Sequence, residues 1–307
     1  MAKQLSPTRA INTINFSYDL NSVNKLFPVL DTSSTKGDFG RIAIIGGSKE
    51  YSGAPYFAAM SAMKAGGDLS YVFCHPDALI PIKSYSPELI VHGSLQWDYI
   101  EQHLWRFHSI VIGPGLGRGD ENIGLMKNIL HKAKENKDLR LVIDADGIFL
   151  LEKLINEVKG CTNVCLTPNR REFKKLYESV LKEKLDESKD PIIGVTKLSK
   201  ELENVSILCK GKEDSISIGS ESVTCDVSGS PRRCGGQGDL LSGILALFLF
   251  WSKRRGDSPH DILDAAACSS LFIRHLSART FKNVGRSMLA LNMLEEIEKL
   301  VFDIDKM

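Results

Sequence analysis

Four glycines and one carboxylate, Gly229, Gly235, Gly236, Gly238 and Asp239, stand just ahead of the apolar run Leu240 to Trp251. Glycines leave little side-chain bulk between backbone N–H groups and a bound anion. The run reads as a buried helix, too short to span a bilayer. A glycine loop entering a helix start presents unpaired N–H groups and the positive end of the helix dipole, which suits a phosphate. Asp239 at its rim would repel that phosphate, so its natural use is as a base. A substrate hydroxyl between Asp239 and a held phosphate would lose its proton to the carboxylate while its oxygen attacks phosphorus. Helix capping by Asp239 is the plainer role, and the two are compatible.

The elements that must position these residues alternate. Arg41–Gly46 reads as a strand, followed by a glycine loop and a helix from Pro55 to about Gly66. Strands are expected at Leu69–Cys74, Ser109–Gly113, Leu141–Asp144 and Val164–Leu166, with helices at Ile123–Lys134 and Gly147–Leu154. Val205–Lys210 continues the series, and Ser215–Ile218 with Ser222–Asp226 reads as a hairpin turning on Gly219 and Ser220. Two further helices are expected near Ile262–Arg279 and Met288–Phe302. This alternation predicts an α/β fold with a mainly parallel sheet covered on both faces. Ligands of such sheets collect at the carboxyl ends of the strands, where the glycine and Asp loops fall.

The sequence holds 307 residues, 25% charged and 43% hydrophobic, enough for one large core. Residues 1–30 are expected as a flexible tail and 31–307 as a single domain; the charged stretch 181–190 is expected as a solvated excursion. A net charge of +1 supplies no field for nucleic acid or an anionic membrane, so neither is expected as a partner. Seven cysteines without zinc spacing are read as reduced thiols, which suits a cytoplasmic protein. A mitochondrial address is the alternative, since residues 1–18 carry Lys3 and Arg9 but no acid. Oligomeric state is open, a homo-oligomer included.

Two familiar phosphate loops fail on inspection. GPGLGRG carries Arg118 where a dinucleotide fingerprint needs glycine, and GGSKEYSGAP lacks the Lys-Ser/Thr of a P-loop. What remains is Gly236-Gln237-Gly238-Asp239 before an apolar helix, which resembles the ribokinase-like superfamily. Six segments in order narrow it: Lys36–Ala59, Val111–Arg118, Asp144–Gly147, Thr167–Phe173, Lys210–Asp214 and Ser230–Gly243. Together they resemble the ATP-dependent NAD(P)H-hydrate dehydratases over roughly residues 36–300.

The resemblance implies a ribokinase-like αβα sandwich and a repair enzyme. It would return NADHX and NADPHX, nicotinamide cofactors that have gained water, to NADH and NADPH at the expense of ATP, with Mg²⁺ as cofactor. Asp239 would be the catalytic base. Substrate contacts carry over to Gly117, to Asn169, Arg170, Arg171, Glu172, Phe173, Lys174 and Lys175, and to Asp239. ATP contacts carry over to Lys210, Gly211, Lys212, Glu213 and Asp214. They carry over also to Gly229, Ser230, Pro231, Arg232, Arg233, Cys234, Gly235, Gly236, Gln237 and Gly238. No metal ligand is assigned, although Asn169 and Glu172 are the best organisers of Mg²⁺ or phosphate. Read without the family, Asn169 is a helix cap with Glu172 at the third helical position. Tyr51 to Ala54 is a candidate pocket wall, and His75, His92 and His108 are read as ordinary residues. A ribokinase-like kinase of a vitamin-precursor alcohol is the first alternative, and a nucleotide-binding regulator without catalysis the second.

Overall fold

The computed structural model describes residues 12–14, 17–256 and 258–307. Its strands are β1 (Asn12–Ile14), β2 (Arg41–Ile45), β3 (Leu69–Phe73), β4 (Ile90–His92) and β5 (Ser109–Ile112). They continue as β6 (Arg140–Ile143), β7 (Val164–Leu166), β8 (Ser206–Cys209), β9 (Asp214–Ile218) and β10 (Glu221–Cys225). The helices before β6 are α1 (Leu20–Asn24), α2 (Gly53–Lys64), α3 (Pro76–Tyr85), α4 (Trp97–Glu101) and α5 (Glu121–Glu135). Those after it are α6 (Asp146–Leu151), α7 (Ile155–Val158), α8 (Arg170–Leu181), α9 (Pro191–Glu201), α10 (Gln237–Ser252), α11 (Pro259–Val284) and α12 (Ala290–Ile304).

The strands form one sheet in the order β1-β10-β9-β8-β7-β6-β5-β2-β3-β4. Every neighbouring pair is parallel except the two made by β9. Alternation along each strand divides the core in two. Ile42 and Ile44 of β2, Val111 of β5 and Val142 of β6 face one cluster with α2, α10, α11 and α12. Ala43 and Ile45, Ile110 and Ile112, and Leu141 and Ile143 face the other, with α5, α8 and α9. Apolar residues on both sides of every central strand are the reason the sheet must be covered twice, and the result is an αβα sandwich.

Helix α10 is buried nearly all round, packed on α2, α11 and the sheet. Its crossing with α2 depends on Gly243, where a Cβ would lie 1.9 Å from the Ala58 carbonyl oxygen. The Ser61 hydroxyl donates to the Leu240 carbonyl (3.0 Å) beside that crossing. No described helix is long and apolar enough to cross a membrane.

Of the stretch expected as an N-terminal tail, residues 1–11 and 15–16 lie outside the described residues. Asn12–Ile14 pair in parallel with β10, and α1 buries Val23, with Leu26 buried just beyond it. Tyr18 donates from its hydroxyl to Asp264 on α11.

Candidate active site

The strand order reverses between β2 and β5, and the loops that follow these two strands diverge there. They open a cleft of about 1120 Å³ lined by Ser48 to Tyr51, His75, Gly93 to Gln96, Gly115 to Gly119, Asp146 and Asp239. Gly117 and Asp239, far apart in sequence, are thus brought together. Tyr51, 62% exposed, is among the residues that line this space.

Helix α10 begins at Gly236, whose φ of +91° is costly for any other residue, and no side chain caps it. A Cβ there would also come within 2.7 Å of the Ala290 Cβ. The first N–H groups of α10 therefore remain available for an anion. Asp239 sits at the third helical position, and its carboxyl is pushed up to about 7. Burial is the main cause; the Asp144 and Asp146 charges add to it and the Lys210 ammonium opposes it. A carboxylate with that value is poised to act as a base near neutrality.

Two further carboxylates hold the surroundings. Asp144, 1% exposed at the end of β6, accepts from the Thr167 hydroxyl (2.8 Å) and from Lys210 Nζ (2.7 Å). Asp146 accepts from the Gly117 backbone N–H (3.0 Å) and from Arg118 Nε (2.8 Å), fixing the loop after β5.

The segment Asn169–Lys175 forms the start of α8. Asn169 accepts from the N–H groups of Arg171 and Glu172, and Glu172 accepts from the Asn169 N–H. This reciprocal capping box satisfies the helix start internally. Burial raises the Glu172 carboxyl, with the Asn169 N–H opposing it. Phe173 is buried in the core, and Lys174 pairs with Glu187 of the charged excursion. Arg171 and Lys175 are exposed. Arg170 and Phe173, together with Gly211 and Glu213, line a separate cavity of about 510 Å³ against residues 183–191.

The Lys210–Asp214 loop is fixed from below. Arg274 of α11 meets Asp214 with Nε (3.0 Å) and Nη2 (2.7 Å). Arg274 Nη1 also donates to the carbonyls of Lys212 and Val227 (both 2.9 Å). Asp214 receives the Gly211 N–H (2.9 Å) and the Ser270 hydroxyl (2.7 Å) as well, so its carboxylate faces inward. In Gly229–Gly238, the Ser230 N–H donates to Ser277 Oγ (3.1 Å), and Gln237 Nε2 donates to the Arg232 carbonyl (3.2 Å) and Cys234 Sγ (3.3 Å). Arg233 reaches the Gly211 carbonyl (3.3 Å), joining the two expected ATP segments. Pro231 and Arg232 are exposed, and a Cβ on Gly235 would meet nothing.

Sequence reasoning missed Lys49 and Thr167 and took His75 as ordinary; it offered Asp144 and Asp146 as carboxylates that reach a metal through water or merely end the strand, and not their hydrogen bonds to Thr167, Lys210, Gly117 and Arg118. The signal for the aspartates was their place at a strand end facing a ligand-binding edge. The histidines do have partners: His92 shares a hydrogen bond with the Tyr99 hydroxyl (2.8 Å), and His108 accepts from the Arg41 N–H (3.2 Å) and stacks on Phe250. Among the described residues no cluster of three or more His, Cys, Asp or Glu could hold a metal ion.

A family model described as NAD(P)H-hydrate dehydratase matches residues 42–299. The ATP-dependent (S)-NAD(P)H-hydrate dehydratase of Ciona intestinalis is 45% identical, over 92% of this chain and 79% of its own length. The protein of the same description from Homo sapiens is 42% identical, over 91% and 82%. Among solved structures, a ribokinase-like superfamily protein from Enterococcus faecalis superposes with a TM-score of 0.78 at 20% identity, covering 99% of this chain and 100% of its own. The ADP/ATP-dependent NAD(P)H-hydrate dehydratase of Bacillus subtilis, co-crystallised with ATP/Mg²⁺, gives 0.71 at 18%, covering 93% and 97%.

Proposed function

Because the chain belongs to the NAD(P)H-hydrate dehydratase family, we propose that it dehydrates NADHX and NADPHX with ATP, using Asp239 as base. The hydroxyl gained on hydration is a poor leaving group, and phosphorylation makes it a good one. Its proton passes to Asp239 as its oxygen bonds to the γ-phosphorus, and the bond to the bridging oxygen breaks with its electron pair on ADP. Phosphate then leaves with the C–O electron pair, pushed by the ring nitrogen, and loss of a proton from the adjacent carbon restores the double bond.

One observation carries this reading: α10 opens uncapped onto the cleft, with a carboxylate poised near neutrality at its third position. The free N–H groups of its first turn would stabilise charge on the transferring group. Gly117 and Tyr51 line the space for the nicotinamide end, and the Lys210–Asp214 and Gly229–Gly238 segments, joined through Arg233, are the floor for ATP. Mg²⁺, bound through ATP phosphates and one or two carboxylates, would offset phosphate charge. With the Asn169 oxygen spent on the cap, Glu172 is the side chain of that segment suited to face it.

The test is to follow absorbance of the reduced nicotinamide ring while purified protein meets NADHX and Mg²⁺ with ATP, with ADP or with neither. A rise that requires nucleotide is expected. No rise with any donor, from folded protein that binds ATP, would replace this reading with a kinase that releases a stable phosphorylated product.

A further inference from the structure

Asp144, 1% exposed, is the most buried charged side chain of the site. One of its oxygens is saturated. Oδ1 accepts both the Thr167 hydroxyl (2.8 Å) and the Lys210 ammonium (2.7 Å). The other oxygen points at the start of α10: a Cβ on Gly238 would lie 4.0 Å from Asp144 Oδ2 and 3.3 Å from Lys210 Nζ. Gly238 is the residue before Asp239, in the turn whose N–H groups are open to an anion. The Lys210 ammonium is therefore delivered beside the place where a transferring phosphoryl group would meet the helix.

A lysine left to itself would not stay there. Its four-carbon stem is flexible, and holding it in one rotamer costs conformational entropy. Lys210 lies at 21% side-chain exposure, where burial disfavours its charge; the Asp144 carboxylate, with help from Glu172 and Asp239, more than offsets this and keeps it protonated. Thr167, at the end of the neighbouring strand β7, fixes the carboxylate in turn. The chain Thr167–Asp144–Lys210 crosses three adjacent strand ends, β7, β6 and β8, and terminates at the α10 start.

We propose that Asp144 is a positioning residue for phosphoryl transfer: it anchors the Lys210 ammonium beside Gly238, and it keeps a second negative charge facing the base Asp239. The inference rests on the proposed role of Asp239. In the transfer step Lys210 keeps its proton and lends charge to the phosphoryl oxygens; the hydroxyl proton goes to Asp239 and the departing electron pair to ADP. The charges that face Asp239 are Asp144 from β6, Asp146 from α6 and Lys210 from beyond β8. Glu172 on α8 acts on Lys210, and Arg118 is neutralised by Asp146.

The experiment compares wild-type protein with Asp144→Asn, Lys210→Met, the double variant and Thr167→Val. It measures kcat with ATP and NADHX across pH, ATP affinity and thermal melting. Asp144→Asn is expected to bind ATP within about threefold of wild type while kcat falls ~10²-fold. Loss of the like charge lowers the affinity of Asp239 for a proton, so the acidic limb of the kcat profile should move to lower pH. Adding Asp144→Asn to Lys210→Met should cost little more in kcat, since the two act through one contact. Thr167→Val should reduce kcat roughly threefold to tenfold with the limb in place.

A merely structural Asp144 would lower melting and kcat but leave the limb unmoved, and independent effects in the double variant would contradict anchoring; either result overturns the proposal. If Asp144→Asn does not fold, Thr167→Val decides, and unchanged kcat there overturns it too. An Asp239→Asn control separates the two claims, since full turnover in that variant sinks the base assignment and not the anchoring of Lys210.

Discussion

Two helices begin at the same edge of the sheet, and they treat their exposed N–H groups in opposite ways. Helix α8 closes its own start: Asn169 and Glu172 satisfy three N–H groups between them. Helix α10 leaves its start open, entered through Gly236 with no side-chain cap. Both ends carry the positive pole of a helix dipole. Only the open one has donors to offer a phosphate; burial raises the carboxyl at the third position of both, Glu172 in α8 and Asp239 in α10, but only Asp239 stands beside free N–H groups. The closed end is a support, which keeps Glu172 in place beside the Lys210 loop; that loop is bridged to Asn169 through the backbone. A helix start becomes a site when the sequence withholds the cap.

The largest effect should come from removing the base at the open end. Asp239→Asn is expected to lower kcat by roughly 10² to 10⁴ while ATP still binds. In wild type, kcat should rise with pH through the Asp239 value of about 7. Stability should move the other way. The folded value lies above the unfolded one, so the native state holds the extra proton between the two and stability falls as pH rises through that window. Asp239→Asn should therefore melt above wild type once pH exceeds that value, and the gain should fade in acid. A variant with full turnover would place the base elsewhere.

Second in size is the anchor beneath the ATP floor. Arg274 and Asp214 are a nearly buried bidentate pair, at 11% and 10% side-chain exposure. Breaking such a pair leaves one charge buried alone, so Arg274→Met should cost about 3–5 kcal/mol of stability. It should also weaken ATP binding, because the carbonyls of Lys212 and Val227 lose their common donor. A melting curve and an ATP titration read both. Unchanged stability would show that the open end is not held from below.

How much of this arrangement was legible in the sequence depended on local pattern. The run Leu240–Trp251 is apolar at every turn, and β2, β5, β6 and β7 are branched runs ended by Gly, Asp or Thr-Pro, so both the central sheet and α10 could be read directly. The capping box of α8 was equally local, since Asn169 and Glu172 lie three apart. Helices α3 and α9 were not anticipated. Pro81 inside α3 reads as a break, and α9 carries Gly194 and the β-branched Ile192, Ile193 and Val195, which favour strand. Their helicity comes from packing on the sheet. The Asp144–Lys210 contact was invisible for a different reason, since it joins residues 66 positions apart. Only the strand order β6-β7-β8 brings them together.

The entry to α10 supplies the third test. Gly236→Ala would force a Cβ into a φ of +91° and to within 2.7 Å of Ala290. Strain and overpacking of this kind cost about 1–3 kcal/mol each. Relief would tilt the first turn of α10, so kcat should fall by an order of magnitude or more, with misplaced donors as the cause. Gly235→Ala is the comparison: a Cβ there meets no protein atom, so any loss it causes reads the approach of ATP alone and should be the smaller of the two. Equal losses in both variants would mean that glycine serves ligand approach along the whole loop.

The smallest effect is expected at the closed end, and it sharpens the contrast most. Asn169→Ala removes a cap worth about 1 kcal/mol and frees the N–H groups of Arg171 and Glu172. If the α8 start only supports, melting should drop by a few degrees, kcat should stay within about threefold, and ATP affinity should be nearly unchanged. Asn169→Asp retains the acceptor and adds a charge that the helix dipole favours, so it should restore the melting temperature. A fall in kcat well beyond the stability loss, not recovered by the aspartate, would show that the Asn169 amide meets the substrate or the phosphate directly. In that case both helix starts would belong to the reacting centre, and the division between an open end that binds and a capped end that supports would fail.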